Sequence, residues 1–148
     1  MDDTQIRMMQ LAARGYACSQ IIIQLALEAR GEENPSLVRA MAGLAYGCGG
    51  GLATCGALTG GCCLIALYAA KGSDAEAASD RLQLMLVELV DWFNDVVGSR
   101  FGGTICEIIT GEDGPAGARP RCGAIVADTV EKAMAILLTN GFDPFDAA

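Results

Sequence analysis

Seven cysteines and no histidine set the chemistry open to this chain. Without an imidazole there is no Ser-His-Asp or Cys-His nucleophile, no Cys/His zinc finger and no histidine-ligated haem or copper. A reactive cysteine here must be activated by a cation, a helix N-terminus or a metal. The cysteines are Cys18, Cys48, Cys55, Cys62, Cys63, Cys106 and Cys122. No Cys-x-x-Cys occurs, which removes the thioredoxin motif, the zinc-ribbon knuckle and the bacterial ferredoxin run. Any multi-cysteine site must be assembled by the fold, and an odd number of cysteines forbids complete internal pairing.

Four of the seven fall at expected helix starts. Cys55 follows a glycine-rich loop, Cys106 stands two residues after Thr104, Cys122 lies beside Arg119 and Arg121, and Cys18 follows Gly15. Unpaired N–H groups and the helix dipole favour a thiolate there. The expectation is that Cys55, Cys106 and Cys122 have lowered pKa values and alkylate faster than Cys62 or Cys63. Cys48, Cys55 and Cys62 are spaced by seven. On one helix that spacing puts them on one face, about 10.5 Å apart, too far for a disulfide. Cys62 and Cys63 diverge around the axis and read as small packing residues.

The elements that must position these thiols read as helices throughout. Thr4–Ala13 is the first, with Gly15 as its stop. Cys18–Ala29 is the second. Asn34-Pro35 is a cap and first turn for a third helix running to about Tyr46. After the glycine loop, a fourth runs from about Thr54 to Lys71. Ser73-Asp74-Ala75-Glu76 has the form of a capping box and predicts a long fifth helix ending near Gly98. Thr104-Ile105-Cys106-Glu107 predicts a short sixth, Gly111–Pro120 a loop, and Arg121–Asn140 the last helix, stopped by Gly141. No segment alternates as a strand does. Gly56 and Gly60, with Ala57 and Gly61, make a face of small residues that another helix can approach closely, which either brings a second cysteine against Cys55 or is ordinary tight packing. The fold class is therefore all-α: a single-domain bundle of six to seven helices with a central Gly/Cys-rich helix, over residues 1–148.

Composition narrows the function. The chain has 148 residues and is 52% hydrophobic, enough for a core without disulfide staples. A net charge of −8 argues against nucleic-acid binding. No charged residue lies between Ala40 and Ala70, but the glycines inside that run split it into a loop and a buried helix instead of a membrane span. The N-terminal Met1-Asp2-Asp3-Thr4 lacks signal-peptide character. The expected location is the cytoplasm, where cysteines serve as metal ligands or redox centres.

Tyr16-Ala17-Cys18-Ser19-Gln20, Cys55-Gly56-Ala57-Leu58-Thr59-Gly60, Thr104-Ile105-Cys106-Glu107 and Cys122, in that order, resemble the redox-active family labelled C_GCAxxG_C_C. The resemblance runs from about Tyr16 to Val130. The label writes Gly-Cys-Ala, whereas this chain reads Cys-Gly-Ala, and Cys-Gly-Ala-x-x-Gly is taken as the motif. The resemblance implies that Cys18, Cys55, Cys106 and Cys122 are the family's four characteristic cysteines, with Cys48, Cys62 and Cys63 as additions. It also implies a bacterial or archaeal protein often encoded near transporters, and related domains fused to c-type cytochromes suggest electron transfer. This chain has no Cys-x-x-Cys-His and attaches no haem itself.

Together these readings give a small redox or electron-transfer protein. Cys18, Cys55, Cys106 and Cys122 are its expected cofactor and metal ligands, and the expected cofactor is an iron–sulfur cluster. The alternatives are a cofactor-free thiol–disulfide redox protein and a cysteine-based binder of zinc or copper(I). The expected partner is an unidentified redox protein, with no nucleic acid and no membrane, and with a homodimer left open.

Overall fold

The computed structural model describes residues 2–146. Among the described residues, seven helices longer than one turn pack around one core, and no strand forms. They are α1 (Asp3–Ala13), α2 (Cys18–Ala29), α3 (Pro35–Met41), α4 (Gly56–Ala69), α5 (Leu82–Phe93), α6 (Cys106–Thr110) and α7 (Arg119–Thr139). The expected all-α bundle with a central Gly/Cys-rich helix is the fold observed.

Local chemistry accounts for most boundaries. Asp2 and Gln5 form a reciprocal capping box that opens α1. The Asn34 side chain accepts from the Leu37 N–H at 3.1 Å, and Pro35 occupies the first turn of α3. The second helix has the expected bounds, and its first turn is held by the Gln20 side chain, which accepts from the Ala17 N–H at 3.0 Å. Gly141, at φ +89°, ends α7 in the left-handed conformation that glycine tolerates.

The fifth helix departs from its expected start. Residues 73–81 are not helical, and α5 begins at Leu82. The Glu76 carboxylate accepts from the Gly72 N–H at 2.8 Å, outside any helix. Every residue from Lys71 to Ala78 is exposed. With no apolar face to bury, a capping signal alone does not propagate a helix. At its other end α5 widens into a π-type turn over Asn94–Gly98 and continues through Ser99–Phe101, so the helical path extends past Gly98. Two more boundaries shift. The third helix stops at Met41 and passes into a short 3-10 turn instead of reaching Tyr46, and the 111–120 loop contains turns over Gly111–Asp113 and Gly114–Gly117.

The fourth helix is the hub. Leu64 and Ile65 are fully buried, against Ile22 and Ala26 of α2, Met85, Leu89 and Phe93 of α5, and Ala133 and Leu137 of α7. Its glycines decide how close the neighbours come. A Cβ on Gly60 would lie 3.2 Å from the Ser19 Cα of α2. A Cβ on Gly61 would lie 2.8 Å from Thr129 Cγ2 of α7 and 3.0 Å from Leu89 Cδ2 of α5. The buried Ser19 hydroxyl donates to the Met41 carbonyl at 2.7 Å and fixes α2 to α3. Among the described residues, no helix is long and apolar enough to cross a membrane.

Two glycine substitutions should move stability in opposite directions. In Gly61→Ala, overpacking at a buried contact costs about 1–3 kcal/mol, which exceeds a helix-propensity gain of about 1 kcal/mol. Gly123 of α7 has nothing within 4 Å of its Cβ position, so Gly123→Ala keeps the propensity gain alone. Urea midpoints should fall for Gly61→Ala and rise for Gly123→Ala. A rise in both would contradict the tight α4 contacts.

Candidate functional site: four thiols on one cleft

The four expected site cysteines come from four different elements. Cys55 is the residue before α4, Cys106 is the first of α6, Cys18 is the first of α2, and Cys122 lies in the first turns of α7. The segment after the glycine loop pairs with the segment before α6. Thr54 and Ile105 form an isolated antiparallel bridge. The Cys55 N–H donates to the Thr104 carbonyl at 2.8 Å, and the Cys106 N–H donates to the Ala53 carbonyl at 3.1 Å. This clamp sets the starts of α4 and α6 side by side and carries Cys55 and Cys106 with them. The Thr104 capping box does not form: Ile105 precedes α6, and no side chain caps it.

Cys18 is brought in by the α2–α4 contact. A Cβ on Gly56 would lie 2.7 Å from the Cys18 Sγ and 3.0 Å from the Leu44 carbonyl oxygen. Glycine in the Cys-Gly-Ala sequence therefore makes the room in which the second thiol sits. A Cβ on Gly47, at φ +58°, would lie 2.7 Å from the Ala53 carbonyl oxygen and 2.9 Å from the Cys106 Cβ, so this position also admits only glycine.

All four thiols line one half-open cleft of about 1070 Å³. Cys48, Cys62 and Cys63 are absent from its wall. Cys48 sits in the glycine loop, not on α4, with left-handed φ of 57°, and it is exposed. Cys48 therefore shares no helix with Cys55 and Cys62, as the expected glycine loop implies. Cys62 and Cys63 are half-buried in α4.

The electrostatics reverse the expected activation. Burial raises the pKa of every thiol in the cleft. Cys55 is pushed up to about 11 by burial, and the N–H groups of Ala57 and Leu58 at the helix start offset this only in part. Cys18 and Cys106 are raised mainly by burial. Cys122 is raised by burial and then by the charges of Cys18 and Cys106, with Arg121 pulling in the opposite direction. Cys62 too is pushed to about 11 by burial. Backbone N–H groups at the helix starts act on Cys18 and Cys55 but lose to desolvation of the thiols. The same interactions identify neighbours: Cys106 acts on Cys18, Cys18 and Cys122 act on Cys55, and Cys18 and Cys106 act on Cys122.

Arg121, expected as an activating cation, is engaged structurally. Its guanidinium donates to the carbonyls of Ile109 and Thr110, at 3.0 and 3.1 Å, and pairs with Asp113. It thereby satisfies carbonyls at the end of α6 and ties that helix to α7. The sequence carried no local sign of this role, nor of the Thr54–Ile105 bridge, because both depend on residues distant along the chain. Among the described residues, no three cysteine, aspartate or glutamate side chains stand together as ligands of a single metal ion.

The family model described as "Putative redox-active protein (C_GCAxxG_C_C)" matches residues 16–136. The chain belongs to this family. The match spans all four cleft cysteines and both the Cys55–Gly60 motif and the clamp that presents it. No curated protein and no solved structure matches the chain. Family membership makes this a redox-active cysteine protein, and four of its cysteines line one cleft.

Alkylation should follow burial. At neutral pH in metal-free protein, the exposed Cys48 should be modified first, with Cys55 slow. Because the Cys55 thiol is raised from 9.0 to about 11, its rate should climb as the pH passes 9. The unfolded chain deprotonates earlier than the folded one, so stability should fall over the same interval, from about pH 9 to about pH 11. Mass spectrometry of time-resolved alkylation checks the order. Fast neutral-pH modification of Cys55 would contradict a buried, protonated thiol.

Proposed function

We propose that the protein is an electron-transfer protein whose Cys18, Cys55, Cys106 and Cys122 hold an iron–sulfur cluster. The observation that carries this reading is the convergence of four thiols from four separate elements on one cleft. Thiolates without histidine are the donor set of ordinary iron–sulfur clusters. A cluster is several atoms wide, so its thiolates stand farther apart than the ligands of one ion. That suits cysteines spread around a cleft better than a single zinc or copper(I) ion does, for which no three ligands stand together among the described residues. Bound there, the cluster would supply one-electron transfer.

The chain's own residues would do the rest. The Thr54–Ile105 clamp holds Cys55 and Cys106 in register. Gly56 lets Cys18 approach. Arg121 fixes α6 to α7 and so relates Cys106 to Cys122. A fixed thiol frame reduces the reorganisation that a change of charge demands.

Thiol–disulfide exchange is the second reading. It is favoured by the lining of one cleft by four thiols, some of which act on one another's charge. It is disfavoured by their burial, because the thiolate is the attacking species.

Iron and acid-labile sulfide per chain, measured after anaerobic purification, test the proposal. The wild type should carry both and show visible absorption. Serine at Cys18, Cys55, Cys106 or Cys122 should remove most of each, whereas Cys62→Ala should keep both. Gly56→Ala removes no ligand, yet should lower the iron content because its Cβ displaces the Cys18 Sγ. A colourless wild type with neither iron nor sulfide would replace the cluster by the thiol–disulfide reading.

A further inference from the structure

The thiols occupy only part of the cleft. Its remaining wall is mostly apolar and includes Met8 and Met9 of α1, Tyr16 from the α1–α2 turn, Ile21 of α2 and Val126 of α7, with Gln5, Thr110 and Arg119 as polar members. A space of about 1070 Å³ is the size of a small organic molecule's site. Met9 is 59% exposed and Tyr16 36%, so this wall lacks a full apolar covering.

The charge in the wall is unusual for this chain. The protein has 18 acidic residues and a net charge of −8, yet among the described residues no carboxylate lines the cleft. Arg119 is the one charged side chain there. Unlike Arg121, which is tied to Ile109, Thr110 and Asp113, Arg119 is exposed and has no hydrogen-bond or ion-pair partner among the described residues. An apolar wall beside one free guanidinium fits a ligand with an apolar body and an electron-rich oxygen.

We propose that this cleft binds an apolar ring compound bearing carbonyl oxygens, the quinone class, with one oxygen on the Arg119 guanidinium. Thioether and aromatic walls suit flat rings. A guanidinium donates hydrogen bonds to such an oxygen and favours negative charge on it. Among apolar, oxygen-bearing ring compounds, quinones are the class that carries electrons, which matches thiols lining the same cleft. The inference rests on the redox reading of those thiols and concerns binding alone.

The probe is 2-heptyl-4-hydroxyquinoline N-oxide, a quinone analogue that takes up no electrons, titrated into the anaerobically purified full chain with fluorescence detection. Saturable binding at one site per chain is expected. Met9→Glu places a carboxylate in the apolar wall and should weaken binding about tenfold or more. Arg119→Leu removes the oxygen's donor and should weaken it by about the same factor. Leu84→Lys, on the exposed face of α5 and outside the cleft, should leave affinity unchanged. Absence of saturable binding to the wild type overturns the proposal, as does wild-type affinity retained in both Met9→Glu and Arg119→Leu. Decanoate displacing the probe with higher affinity than a fully substituted benzoquinone also overturns it, since Arg119 would then serve a fatty-acid carboxylate. Iron and sulfide assayed on the same samples separate the two readings. Binding without iron supports this inference and removes the cluster, whereas iron without binding leaves the cluster and overturns the inference.

Discussion

The structure depends on how closely α2 lies against α4. Two glycines, Gly56 and Gly60, carry no side chain at the contact, so the backbone around Ser19 and the Cys18 thiol fill the space directly. A side chain at either position would push the helices apart. The loss would spread, because Leu64 and Ile65 of the same helix are packed against α5 and α7. The close approach thus organises the core and also delivers the first thiol to the cleft.

A second constraint acts at the opposite wall. Ala53–Cys55 and Thr104–Cys106 exchange backbone hydrogen bonds across a single bridge. Backbone pairing is directional and short-ranged, so this small contact fixes two helix starts relative to each other more tightly than apolar packing alone would. Gly47 completes it, in a conformation and a space that a larger residue cannot share. The thiols therefore arrive in two ways: one pair is fixed by a backbone clamp, and the other is carried on α2 and α7.

Burial then sets the chemistry. Helix starts ordinarily lower a thiol's pKa, but here burial of the thiols outweighs them. Burial raises all four thiols, and Cys18, Cys106 and Cys122 further disfavour ionisation of particular neighbours. A metal bound there, as proposed, would relieve both penalties at once by placing positive charge among the sulfurs. Among the described residues, the rest of the cleft differs from the acidic surface in having no carboxylate and one free cation.

Much of this was legible along the chain. The all-α class, the bounds of α2, the Asn34–Pro35 start of α3 and the glycine stop of α7 all follow from local rules: periodicity, capping and glycine punctuation; the set of four cysteines came from the family resemblance. The glycine face of α4 also announced a close neighbour, but its identity came from tertiary structure. Local rules failed where the outcome depended on distant residues. Ser73–Glu76 has a capping sequence, yet no apolar face behind it, and stays unwound. Thr104 has the right spacing to cap α6, but the bridge to Thr54 takes over that turn. Arg121 has the charge to activate Cys122, but carbonyls and a carboxylate from another segment engage it. Sequence determined which residues could form helices and which could do redox chemistry. Only the tertiary structure decided which thiols meet and which way their pKa values move, because convergence and desolvation are properties of the space between elements and not of any one of them.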